Sequence, residues 1–219
     1  MVDVTVGNCY VCGVQLGKVA IKNHVLKMHA NEVGGEECYL FKIEGACDKR
    51  YWLLVDVALG SSLSVLDSFL RRIWLDCCGH LSRFHFGCEL GKSRKIGSLC
   101  VGDKIMYEYD FGSTTELLLT IVGVVRRPKQ CESVRLLARN VPLNYVCVDC
   151  GKSADYVCTE CLCDYDAENP FFCKKCCKKH GETHDGMELP ITNSPRMGVC
   201  GYCGDGDVWT FNSVKLKKP

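Results

Sequence analysis

Paired thiols and imidazoles are the side chains of this sequence whose spacing most directly implies chemistry. Cys9 and Cys12 are followed, after eleven residues, by His24 and then His29. Far along the chain come Cys147 and Cys150, Cys158 and Cys161, Cys173 and Cys176, His180 and His184, and finally Cys200 and Cys203. Two residues between thiols let both sulfurs reach one tetrahedral cation from a tight turn, and zinc accepts thiolate and imidazole ligands at about 2.0–2.3 Å. The expected cofactor is Zn2+, at three sites or four. The odd total of 19 cysteines and the metal-type spacing favour reduced thiols in a cytoplasmic setting over a disulfide scaffold. Recurrence of the pairs favours metal binding over a redox role for any single one.

Residues 1–34 read as a ββα zinc finger, with Cys9 and Cys12 on a hairpin knuckle and His24 and His29 on one helix face. Leu16, Ile21 and Leu26 supply a core so small that the metal must provide most of its stability. The pattern resembles the two-cysteine, two-histidine finger family, with Ile21 where that family usually carries leucine. That resemblance places the base-reading helix positions on Gly17, Val19, Ala20 and Asn23, and only Asn23 can discriminate bases by hydrogen bonding. Lys18, Lys22, Asn23 and Lys27 are the candidate nucleic-acid contacts, without strong sequence specificity.

Residues 141–206 form a Cys-rich module with ten cysteines and two histidines. Four ligand pairs in series can bind two ions sequentially or interleaved. The spacing resembles cross-brace modules such as B-box and MYND fingers, and interleaving is favoured. It groups Cys147, Cys150, Cys173 and Cys176 at one site, and Cys158, Cys161, His180 and His184 at another. Cys163 and Cys177 are spare thiols or alternative ligands. Cys200 and Cys203 form a glycine-flanked knuckle that could close a further site with them or replace a pair; residues 189–197 are an extended loop delivering it. Residues 207–219 are a basic tail.

These ligands must be positioned by elements of a larger body. Hydrophobic residues make up 47% and charged residues 24% of the 219, ordinary for a globular chain, and the formal charge of +1 argues against whole-chain attraction to nucleic acid. The first residues lack the basic and apolar runs of a secretory signal, and the apolar stretch 117–125 is too short to span a bilayer. Runs of apolar, aromatic and β-branched residues predict strands at 39–44, 51–57, 83–88, 104–111, 116–125 and 133–139, with a hairpin connection at 112–115. Leu63, Leu66, Phe69, Leu70, Ile73, Trp74 and Cys77 recur at helical steps after the capping serines Ser61 and Ser62. The fold class is α+β: a mixed central domain over 35–140, flanked by the finger and the Cys-rich module.

Within that centre, the order helix, then Gly79, His80, Phe84, His85 and Phe86, then Tyr107, Tyr109, Asp110, Phe111 and Gly112, resembles the plasmid pRiA4b ORF-like domain. The likeness covers roughly residues 38–140 and implies a compact α/β domain of bacterial and archaeal proteins, some linked to mobile elements. Many members continue after the Tyr-Asp-Phe-Gly stretch with an acidic residue, a tryptophan and a histidine; here Ser113, Thr114, Thr115, Glu116 and Leu117 follow instead.

The expected function is a non-enzymatic, zinc-stabilised adaptor mediating macromolecular interactions, chiefly between proteins, with no catalytic residue assigned and no membrane partner. The alternative is a nucleic-acid-binding accessory or regulatory protein. Its basis is Lys174, Lys175, Lys178 and Lys179, together with Arg126, Arg127, Lys129, Arg135, Arg139 and the tail lysines Lys215, Lys217 and Lys218. A remote alternative is an enzyme with a site near His80, His85 and Asp110. Helix-end capping by His80, strand-surface bonding by His85 and turn capping by Asp110 explain those residues more simply.

Overall fold

The computed structural model describes residues 5–31, 33, 35–129, 132–164, 169–204 and 211. In chain order the elements are β1 (Val6–Cys9), β2 (Gln15–Gly17), α1 (Lys18–Met28), β3 (Glu36–Gly45), β4 (Trp52–Ala58) and α2 (Leu63–Leu70). A π-helical turn over Arg71–Leu75 extends α2 and is followed by β5 (Ser82–Phe86), β6 (Cys88–Leu90), β7 (Lys104–Tyr109), β8 (Thr115–Arg127) and β9 (Val134–Asn140). The C-terminal module contributes β10 (Tyr156–Cys158), α3 (Thr159–Cys163), β11 (Phe171–Phe172), α4 (Lys174–His180) and β12 (Glu188–Pro190). The arrangement is α+β, and no described helix is long and apolar enough to cross a membrane.

Nine strands form one sheet in the order β2-β1-β9-β4-β3-β8-β7-β5-β6, with each neighbouring pair antiparallel. The seven residues of β4 are all buried because both faces of the sheet are covered. Leu53, Val55 and Val57 join the cluster beneath α2 and the π-turn, around Phe69, Ile73 and Trp74. Trp52, Leu54 and Ala58 point the other way, into the cluster beneath α1 with Ile21 and Val25. A strand buried on both faces reads as a continuous apolar run, which is why 51–57 lacks alternation. The one polar residue in that run, Asp56, receives Arg127 at 2.7 Å and Arg135 at 2.7 Å.

The N-terminal hairpin is not a satellite. β1 pairs with β9 through Gly7 and Asn140, Asn8 and Arg139, Cys9 and Ala138, so the boundary expected after residue 34 is bridged by backbone hydrogen bonding. A register shift in the β4–β9 pairing leaves Leu137 as the extra residue, and its carbonyl accepts from the Tyr10 amide at 2.8 Å. Helix α1 has Gly17 at its N-cap with no side-chain cap, and eleven residues are marginal for an isolated helix. Ile21 and Val25 packed against the sheet, each contributing about 1.5–3 kcal/mol, and Lys18 bonded to Glu44 at 2.7 Å hold it in place. Gly123 leaves room for Leu26: a Cβ there would lie 2.7 Å from Leu26 Cδ2.

The C-terminal module is a three-stranded sheet, β11-β10-β12, with a core of little more than Cys158, Phe172 and Cys177. Its final segment docks on the central body. Ser194 Oγ donates to the Trp74 carbonyl at 2.6 Å, and Trp74 Nε1 and Arg139 both donate to the Asn193 carbonyl, at 3.0 and 2.6 Å. Asn193 and Asn140 exchange two further bonds, at 2.7 and 2.9 Å. Ser194 and Arg196 are buried although they sit in the loop expected merely to deliver the last knuckle.

Candidate metal centres

Among the described residues, four groups place four Cys or His ligand atoms within 4.8 Å of one another, and each could hold a metal ion. Four ligands at about 2.0–2.3 Å from a tetrahedral centre are separated by about 3.3–3.8 Å; the thiol pairs lie within that range, and the shortest contacts to imidazole, near 3 Å, lie a little inside it.

The first group is Cys9, Cys12, His24 and His29. The knuckle closes through Gly13, at φ +81°, whose amide donates to the Cys9 carbonyl at 2.8 Å. His24 on α1 lies 3.1 Å from Cys12 Sγ, and its Nε2 is 3.0 Å from that of His29.

The second group is Cys147, Cys150, Cys173 and Cys176; the third is Cys158, Cys161, His180 and His184. These are the interleaved sets. Helix α4 is the reason: Cys173 stands at its N-cap position and Cys176 lies in its first turn, while His180 ends it one turn on. The helix thus reaches both sites. Cys150 and Cys173 sulfurs are 3.7 Å apart; Cys161 Sγ lies 3.4 Å from His180 Nε2 and 3.5 Å from His184 Nδ1. Phe172 stacks on the His180 ring with centroids 4.1 Å apart, fixing its orientation.

The thiols within these groups hold one another's ionisation in check. Burial pushes the Cys147 thiol up, but backbone amides of Cys173, Cys150 and Asp149 outweigh it and bring the value to about 6. Cys176, hydrogen-bonded to Cys173, is pushed up to about 12. Burial and then Cys158 raise Cys161 to about 11, while burial and His184 lower His180. Crowded thiols resist ionising together, and a divalent ion removes that conflict.

The fourth group, Cys77, Cys78, His80 and Cys200, is absent from the sequence expectations. Cys200 approaches neither Cys163 nor Cys177 in a ligand group: Cys163 is exposed at the end of α3, and Cys177 is buried in the module core. Cys203 stands outside all four groups, its sulfur 3.3 Å from the Gly201 carbonyl. His80 does not cap α2 with its ring, which faces Cys78 and Cys200. The available signal was the run Cys77, Cys78, Gly79, His80, two thiols and an imidazole around one glycine.

The remaining candidates are dispersed. His80 Nε2 lies 3.5 Å from Asp110, whose carboxylate is committed to Arg196 at 2.7 Å and to the Gly112 amide at 3.1 Å, the expected turn cap. Arg196 holds the Asp110 carboxyl below its ordinary value. His85 is exposed on β5, outside every group. Of the nucleic-acid candidates, Lys18 is tied to Glu44 and to the Lys49 carbonyl at 2.8 Å, whereas Asn23 and Lys27 are exposed on the outer face of α1 and Lys22 is half-buried. Most of the arginines expected on a basic surface serve the interior instead. Arg127 and Arg135 neutralise Asp56, Arg139 holds Asn193, and Arg126 pairs with Glu37 at 2.7 Å. Lys174, Lys175, Lys178 and Lys179 are exposed along α4. The tail lysines lie outside the described residues.

No family model and no curated protein matches this chain. A solved structure of a protein of unknown function from Methanosarcina mazei Go1 is similar at 16% identity and a TM-score of 0.43, over 55% of this chain and 78% of that one. That likeness assigns this chain neither fold nor function.

Proposed function

We propose that this protein is a zinc-stabilised, non-enzymatic adaptor that mediates macromolecular interactions, chiefly between proteins, in the reducing cytoplasm. The observation that carries the reading is that each ligand group supplies four protein donors. An ion so held has no open position for substrate or activated water, unlike catalytic zinc with three protein ligands. Thiolate and imidazole donors suit Zn2+ better than the harder divalent cations. The N-terminal ββα unit is then a zinc finger and the C-terminal module a cross-brace. The central residues are read with the pRiA4b ORF-like domain on the resemblance of residues 79–86 and 107–112. An open cleft of about 520 Å³, lined by Leu162, Met187, Leu189 and Val199 among others, offers a partly apolar docking surface beside the module.

The second reading, nucleic-acid binding, is favoured by the four exposed lysines of α4. One experiment separates the two. Tagged full-length protein is used to recover partners with and without nuclease. Partners retained after nuclease support the adaptor. Partners lost with nuclease, together with retention on nucleic acid that falls steeply as salt rises, overturn it in favour of the second reading.

A further inference from the structure

We propose that Cys77, Cys78, His80 and Cys200 bind a Zn2+ ion that clasps the C-terminal module to the central sheet. Unlike the other three groups, these ligands come from two segments about 120 residues apart. The four ligand atoms lie within 4.8 Å of one another. Cys78 Sγ to Cys200 Sγ is 3.8 Å and Cys77 Sγ to Cys78 Sγ 3.7 Å, as around a tetrahedral ion. His80 Nε2 sits closer, 2.9 Å from Cys78 Sγ and 3.2 Å from Cys200 Sγ, and would move outward by a few tenths of an ångström to admit the ion.

Three backbone features converge on this point. The π-turn ends with the Asp76 amide donating to the Arg71 carbonyl at 2.8 Å, and this wider turn sets where Cys77 and Cys78 leave the helix. Gly79, at φ +76°, turns the chain so that Cys78 and His80 face the same point. Cys200 itself has φ +51°, a left-handed conformation unfavourable for a residue with a Cβ. It persists because the flanking segment is held by Ser194, Arg196 and Asn193, and it aims the sulfur at His80.

A buried cation offsets part of the charge of such a site. Three thiolates and one imidazole around Zn2+ leave a net −1. Arg196, fully buried, places Nη2 3.6 Å from Cys77 Sγ while also pairing with Asp110. The ion would close a long loop between the helix end and the final segment, and so set where the module sits on the sheet. This site shares the zinc chemistry of the proposed function, but its failure would leave the other three groups, and the adaptor reading built on them, standing.

The test uses full-length protein purified with Zn2+. Native mass spectrometry counts zinc in the wild type and in a Cys78→Ser/Cys200→Ser double variant. The variant is expected to hold one ion fewer, with the other three sites loaded. Differential alkylation of the unmutated zinc-loaded protein provides a measurement that does not depend on the variant folding. Cys77, Cys78 and Cys200 should be protected until chelator is added, while Cys47, Cys88 and Cys100, exposed and outside every group, react at once. An unchanged zinc count in a folded double variant, or Cys78 and Cys200 reacting as fast as those controls, would overturn the proposal.

Discussion

The guanidinium of Arg196 donates to the carboxylate of Asp110 at 2.7 Å, joining residues 86 positions apart in a buried contact. Arg196 also donates to Thr115 Oγ1 at 3.0 Å and lies over the Tyr109 ring at 4.8 Å. The Tyr-Asp-Phe-Gly turn is thereby the receptor for the C-terminal segment. Asp110 adopts φ +66°, which asparagine also tolerates.

Arg196→Ala should destabilise the protein by roughly 3 kcal/mol, the cost of breaking a buried ion pair from one side. Asp110→Asn, which preserves the turn and can still accept a hydrogen bond, should cost less. Urea unfolding of the two variants checks the order. Equal loss would show that the charge of Asp110, rather than the packing of Arg196, dominates.

Metal removal should affect the molecule unevenly. Among the described residues the C-terminal module has a very small apolar core, so a chelator should abolish hydrogen-exchange protection over residues 147–164 and 169–184. The central strands β3, β4 and β8, packed on both faces, should keep theirs. Uniform loss across both regions would mean that the sheet also depends on metal.

Two glycines predict contrasting costs. A Cβ at Gly7 would strike the Arg139 carbonyl and the buried Trp52 ring, neither of which can move freely, so Gly7→Ala should cost about 3 kcal/mol. A Cβ at Gly123 meets only the end of Leu26, so Gly123→Ala should stay within about 1 kcal/mol. Thermal unfolding of the pair is sufficient.

Asp67 should contribute a pH-dependent increment. Burial raises its pKa, but hydrogen bonds from Ser82, Tyr107 and Lys92 and the charge of Arg71 outweigh that and hold it below the ordinary value. The native state therefore binds fewer protons than the unfolded chain. The increment is complete well above the unfolded value of about 3.9 and is lost as pH falls through the lower native value. The stability gap between wild type and Asp67→Asn should be greatest near neutrality and shrink as pH drops below about 4. A gap constant from pH 7 to pH 3 would contradict this.

Local spacing alone determined a good deal here. Helical periodicity for α2, and strand-forming runs for β3, β4, β7, β8 and β9, place these elements within a few residues of where the chain forms them, because those patterns record which side chains face the interior. Ligand pairs separated by two or three residues are likewise local facts, and interleaving needs only one short helix, α4, carrying Cys176 and His180 a turn apart. Tertiary structure decided what depends on long-range approach. It set β1 beside β9, turned Arg127, Arg135 and Arg139 inward, and docked Asn193, Ser194 and Arg196 on the core. It also brought Cys200 to Cys77, Cys78 and His80 across some 120 residues. No short-range pattern encodes such a meeting, because it depends on a sheet register, a π-turn and a buried latch acting together.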